Sequence, residues 1–237
     1  MQYAYGSYGY TVDPAFSISL ISLLDRGFIY AICHVRGGDY LGRKWYEDGK
    51  KKNKVNSFKD FISCAELLKT KNISKDISIH GGSAGGLLVG ASINMRPDLF
   101  HCAVAEVPFV DVLNTILDDS LPLTPPEWEE WGNPIKNKSD FNYIHSYSPY
   151  ENIKEQDYPT ILATSGLTDP RVTYWEATKW VAKLRSKKTD NNPLFLKTYT
   201  DAGHGGMAGR YNQIKETAFV YAFILWSNDL LKRPIAR

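Results

Sequence analysis

Asp76-Ile77-Ser78-Ile79-His80-Gly81-Gly82-Ser83-Ala84-Gly85-Gly86 is the stretch on which the reading of this chain turns. Its first four residues have strand character, and the run at 87–94 that follows is apolar and helix-forming. Between them lies Gly-x-Ser-x-Gly at 81–85. A serine hydroxyl is a weak nucleophile unless it is exposed on a tight turn beside a base and a pair of oxyanion donors. Such a strand-to-helix turn brings backbones into close approach, which glycine tolerates. The pattern therefore predicts a nucleophilic serine, Ser83, provided the remaining residues supply its partners.

Working outward, strand and helix signals alternate. An apolar run at 28–35 ends in Arg36-Gly37-Gly38, and a helical pattern opens at Ser57, a candidate N-cap, with Phe58, Phe61, Ile62, Ala65 and Leu68 on one face. Further strands are expected at 102–105, 160–165 and 194–199, with helices at 173–185 and 214–231. Strands alternating with helices argue for a mostly parallel, doubly wound sheet covered on both faces, in one domain spanning 1–237. The segment 110–152, with Pro122, Pro125, Pro126, Pro134 and Pro149, breaks the rhythm and is expected to be a helical insertion. Insertions at the carboxyl ends of strands commonly shape a ligand site.

Composition excludes several function classes. The formal charge of +2 on 237 residues gives no reason to expect nucleic acid or an anionic membrane as partner. The lysine-rich run at 50–54 reads as a solvated surface loop. No apolar stretch approaches the ~18 residues of a membrane span, and the opening residues lack a signal-peptide pattern. Cys33, Cys64 and Cys102 are odd in number and without metal-type spacing, so they read as buried free thiols of a reducing, cytoplasmic compartment. No metal or organic cofactor is expected.

An acyl-transfer serine needs a histidine to take its proton and a carboxylate to orient that histidine, in the chain order serine, acid, histidine for an α/β-hydrolase. Gly166-Leu167-Thr168-Asp169-Pro170 follows one strand, and Asp201-Ala202-Gly203-His204-Gly205-Gly206 follows the next. Asp169 and His204 thus fall on loops at the carboxyl edge of the sheet, with Ser83. Asp201 competes for the acid role but lies only three residues before His204. His34, His80, His101 and His145 are expected to be structural. One oxyanion donor is the backbone N–H of Ala84, and the second is sought in the opening Tyr3-Ala4-Tyr5-Gly6-Ser7-Tyr8-Gly9.

Tyr5-Gly6-Ser7-Tyr8-Gly9, His34-Val35-Arg36-Gly37-Gly38, 81–86, Asp169-Pro170-Arg171-Val172 and Gly203-His204-Gly205-Gly206 occur together and in order. In that combination the chain resembles the catalytic domain of the prolyl oligopeptidase family of serine peptidases. Trp45-Tyr46-Glu47-Asp48-Gly49 and Glu127-Trp128-Glu129-Glu130-Trp131-Gly132-Asn133-Pro134 resemble its oligopeptidase B branch.

The resemblance implies an α/β-hydrolase fold and hydrolysis of short peptides, after Lys or Arg, with the Tyr5 hydroxyl as the second oxyanion donor. It implies Glu127 and Glu129 as ligands of the P1 cation and Asp13 as a P2-site acid, although Ala15 replaces the second acid expected there. Tyr8 is implied as an S1 wall, and Arg171 as the residue holding a substrate carbonyl. It also implies a β-propeller ahead of this domain, and none of its repeats is present in these residues. Two other readings stay open. In one, cleavage is proline-specific, with Trp128 and Tyr8 stacked on the ring. In the other, the domain is catalytically impaired and serves as a binding module.

Overall fold

The computed structural model describes residues 1–231. Its main sheet contains β1 (Gln2–Tyr3), β2 (Ala31–Ile32), β3 (Ser78–Gly82), β4 (Cys102–Glu106), β5 (Thr160–Gly166) and β6 (Leu194–Tyr199). They pair in the order β2-β1-β3-β4-β5-β6, every neighbour parallel, as the alternation of strands and helices predicts. A small antiparallel hairpin, β7 (Ala202–Gly203) and β8 (Gly206–Met207), stands apart and holds His204 at its tip.

Side chains on a strand alternate between its two faces, so each inner strand feeds two cores. Ala103, Ala105, Ile161 and Ala163 pack against α3 (Val55–Thr70), α4 (Ala84–Met95) and α8 (Tyr174–Lys187). The intervening Cys102, Val104 and Leu162 face the other way, onto α1 (Ile18–Leu24) and α9 (Arg210–Ser227). The sheet is therefore covered on both faces. Among the described residues the remaining α-helices are α2 (Arg43–Glu47) and, in the insertion, α5 (Val112–Leu117), α6 (Thr124–Trp131) and α7 (Lys138–Tyr147).

Several boundaries differ from the sequence expectation. The run at 28–35 pairs only over Ala31–Ile32, because its partner β1 contributes two residues. Ser57 is not an N-cap: α3 begins at Val55, and the buried Ser57 hydroxyl donates instead to the Arg36 carbonyl at 2.6 Å. The last helix begins at Arg210 and ends at Ser227, short of Leu231. The lysine run at 50–54 is not uniformly solvated either, since Lys54 is buried.

The insertion is tied to α8 by a buried carboxylate. Glu176, in the first turn of α8, accepts from the Asp111 N–H at 2.9 Å and from the Thr115 hydroxyl at 2.8 Å. Asp111 itself pairs with Lys179. Burial, with Asp111 nearby, pushes the Glu176 pKa from 4.5 up to about 8. The folded chain therefore binds a proton that the unfolded chain releases in this interval. The stabilisation this confers is complete below pH 4.5, declines as pH rises, and is gone above about 8.

Glu176→Gln keeps an acceptor for the Asp111 N–H, and the Thr115 hydroxyl can reverse to accept from the new amide. The wild type should lose urea stability between pH 5 and pH 8 relative to this variant, by about 2 kcal/mol or more. Parallel curves for the two proteins would rule out Glu176 as the source.

Candidate active site

Strand β3 ends at Gly82 and α4 starts at Ala84, so Ser83 alone makes the turn, with φ 54° and ψ −121°. Such backbone angles are costly for a residue with a Cβ and persist only when the surroundings hold them. Here the Ser83 N–H donates to the Glu106 carbonyl at 2.9 Å, and its own carbonyl accepts from Gly86 at 2.8 Å and Phe109 at 3.1 Å. The flanking glycines are required by close approach. A Cβ on Gly81 would lie 2.2 Å from the Gly85 carbonyl oxygen, and one on Gly86 would lie 2.5 Å from the Pro108 side chain. The turn seen in the sequence is therefore a strained, clamped elbow.

Asp169 follows the end of β5, and its side chain is fully enclosed. Its Oδ1 accepts from the Arg171 N–H at 2.8 Å and the Val172 N–H at 3.0 Å, while Oδ2 meets His204 Nδ1 at 2.7 Å. A carboxylate on Nδ1 makes that nitrogen the donor and leaves Nε2 as the acceptor. Ser83 and His204 border the same cleft of about 410 Å³, together with Tyr5, Tyr8, Glu127 and Arg171. Asp201 is exposed.

Tyr5 lines the cleft together with Ser83, and burial raises its pKa above the ordinary phenol value. It is thus a neutral O–H donor at neutral pH. Ala84 is the first residue of α4, and its N–H belongs to the amides that a helix leaves without an internal partner. The cleft that Ser83 borders is thus lined by two groups of the donor kind an oxyanion needs, Tyr5 and Ala84.

The residues implied for substrate recognition separate into two groups. Glu127 lines the cleft, half-buried, and its Oε2 accepts from the Tyr8 hydroxyl at 2.8 Å and from Trp131 Nε1 at 2.6 Å. Burial raises its pKa, against the lowering influence of those two donors. Tyr8 and Arg171 also line the cleft. Glu129 does not: its side chain is 87% exposed and paired with Lys51 at 3.1 Å. The reason is helical geometry, since residues two apart on α6 point to different faces. Asp13 is exposed and lies outside the cleft. Trp128, the candidate proline-stacking ring, donates its indole N–H to the Ile116 carbonyl at 3.2 Å and does not line the cleft.

Two buried charges beside the cleft escaped the sequence reading. Glu130 shares a face of α6 with Glu127, at the i,i+3 spacing that helical period makes adjacent, and this was the signal that could have found it. Lys54, at the start of α3, has no such signal in a run of lysines. Among the other histidines, His80 pairs with Glu106 at 2.5 Å in an adjoining cavity, and His34 stacks on Tyr40. No helix among the described residues is long and apolar enough to cross a membrane.

Comparison with known proteins places this arrangement. The Protease 2 of Moraxella lacunata is 52% identical over 225 residues, covering 94% of this chain and 32% of its own length. The dipeptidyl aminopeptidase BI of Pseudoxanthomonas mexicana is 49% identical over 227 residues, covering 95% of this chain and 31% of its own. Oligopeptidase B from Leishmania major superposes with a TM-score of 0.96 at 49% identity, over 100% of this chain and 33% of that one. The chain thus spans about a third of the length of the relatives it matches. The model of the prolyl oligopeptidase family matches residues 14–229, and with these relatives it establishes that the chain belongs to the prolyl oligopeptidase family of serine peptidases.

Proposed function

We propose that this chain carries the catalytic centre of a serine oligopeptidase that cleaves short peptides after Lys or Arg through an acyl-enzyme. The observation that carries the specificity is the half-buried Glu127 carboxylate in the cleft that also holds Ser83 and His204. Both donors to Glu127 converge on Oε2. Its Oε1 is left for a guanidinium or ammonium group, which would offset the desolvation that raises its pKa.

In the reaction, Ser83 Oγ attacks the carbonyl carbon after the basic residue while His204 Nε2 takes its proton. The Tyr5 hydroxyl and Ala84 N–H bind the oxyanion. His204 then returns the proton to the leaving amine, and water repeats the sequence on the acyl-enzyme. Asp169 holds the imidazole tautomer throughout. Arg171, exposed at the cleft rim, is assigned to a substrate carbonyl. The oligopeptidase B of Trypanosoma brucei, 51% identical, has been solved with covalently bound antipain. We read that complex as a guide to how a peptide enters the cleft here. Glu129 and Asp13, both outside the cleft, are given no part in recognition.

The test is a set of reporter peptides differing only at P1. Arg and Lys peptides should be turned over well ahead of a Pro peptide. Glu127→Gln should lower kcat/KM for the Arg peptide about 10²-fold, or ~3 kcal/mol, by removing one partner of a desolvated charge pair. An uncharged P1 should be nearly unaffected. Because Glu127 is charged only above its raised pKa, preference for Arg should fade as pH drops through it. Faster turnover of the Pro peptide, or an equal effect of Glu127→Gln on all substrates, would reject the basic-P1 reading.

A further inference from the structure

Lys54 and Glu130 are both buried, at 1% and 4% exposure, and neither touches the candidate triad. They grip three consecutive residues of one loop. Lys54 Nζ donates to the Gly6 carbonyl at 2.6 Å and to the Ser7 hydroxyl at 2.7 Å. The Tyr8 N–H donates to Glu130 Oε1 at 3.0 Å, and the other carboxylate oxygen accepts from the Tyr46 hydroxyl at 2.7 Å. Lys54 also stands over the Trp131 ring, 4.9 Å from its centroid, and that indole is a donor to Glu127.

What they hold is a strained segment. Tyr8 adopts φ 60°, a left-handed conformation unfavourable for a bulky residue. It lies three residues after Tyr5, which lines the cleft with Ser83. The ring of Tyr8 leans on Tyr5, with centroids 6.2 Å apart, and meets the edge of Trp131 at 5.7 Å. The loop's own backbone bonds are few: Gly9 N–H to the Gly37 carbonyl at 2.9 Å and Tyr10 N–H to the Ser7 carbonyl at 3.0 Å.

Ser57 Oγ also reaches the Gly6 carbonyl, at the longer distance of 3.3 Å, and the Tyr5 ring packs on Tyr10. The short bonds from Lys54 and Glu130 supply the remaining hold on residues 6–8 that an oxyanion donor's precise placement requires. Keeping a cation there is costly, since burial lowers the Lys54 pKa from 10.5 to about 8 with the Glu130 charge opposing. A methionine would fill the same space without that cost, but it could not donate to the Gly6 carbonyl.

We propose that Lys54 and Glu130 are positioning residues. They clamp residues 6–8 from α3 and α6 so that the Tyr5 hydroxyl is preset at the oxyanion site, and they couple that site to the helix carrying Glu127. The role rests on the peptidase reading above, in which Tyr5 binds the oxyanion. They act through Tyr5 and Tyr8 and do not touch substrate.

Two measurements on the full chain test this. In hydrogen–deuterium exchange, Lys54→Met should speed exchange of the Tyr8, Gly9 and Tyr10 amides about tenfold while those of α4 stay protected. In kinetics, Lys54→Met should lower kcat about 10²-fold with KM within about threefold. Tyr5→Phe alone should cost about 10²–10³ in kcat, and less than about tenfold when added to Lys54→Met, because the hole is already displaced. A purely fold-supporting lysine would give additive losses.

If Lys54→Met does not fold, Ser7→Ala removes one of its two acceptors and should show the same non-additivity with Tyr5→Phe at smaller amplitude. Unchanged loop exchange, or a Tyr5→Phe cost equal in both backgrounds, overturns the proposal. A wild-type chain without turnover would reject the peptidase reading instead. The exchange experiment would then decide alone whether Lys54 holds the loop.

Discussion

Ser83→Ala is expected to abolish turnover, lowering kcat by about 10⁶. The fold should be retained. The strained turn is held by backbone partners, from Ser83 N–H to Glu106 and from Gly86 and Phe109 to the Ser83 carbonyl, and all of these survive the substitution. Alanine also carries a Cβ, so the penalty at φ 54° is unchanged and urea stability should move by less than ~1 kcal/mol. A serine-directed phosphonate should label the wild type and leave the variant untouched. Equal labelling of both would show that the elbow is not a working nucleophile.

Asp169→Asn is the second large effect, about 10⁴ in kcat, by analogy with the trypsin-type triad in which the same exchange imposes the wrong histidine tautomer. Oδ1 already accepts from the Arg171 and Val172 N–H groups, so the amide oxygen of asparagine will occupy that place. Its NH₂ then faces His204 Nδ1, where Oδ2 stood at 2.7 Å, and as a donor it forces that nitrogen to accept. The ring proton moves to Nε2, which can no longer receive the serine proton.

The loss should fall on kcat with KM little changed, and the variant should fold, since the loop's own hydrogen bonds are preserved. Asp201→Asn, in an exposed position, should change turnover by less than about twofold. If the Asp201 variant showed the larger loss, the acid would have been misassigned.

The three groups of the candidate triad were legible because each lies just past the carboxyl end of a strand or on the elbow itself. A short connection leaves such a residue few places to go. The recognition residues were legible only in part. Reading Glu127 and Glu129 as a pair treats them as neighbours in sequence, but α6 turns Glu129 outward to Lys51 and brings Glu130 round to the Glu127 side. Lys54 was not legible at all: in a row of lysines nothing marks which one is buried. Its neighbours show the contrast, as Lys51 and Lys52 pair at the surface with Glu129 and Asp140.

By itself, then, the sequence determined the parallel sheet, the elbow and the order of serine, acid and histidine. These depend on local periodicity and on turns that only glycine-rich segments can make. The tertiary structure alone decided which carboxylate faces the cleft and which cation reaches the backbone of residues 6 and 7. Those outcomes depend on how α3 and the insertion helices pack around a loop far from them in the chain. Burial and charge pairing are set by partners brought together only on folding, and no local pattern records them.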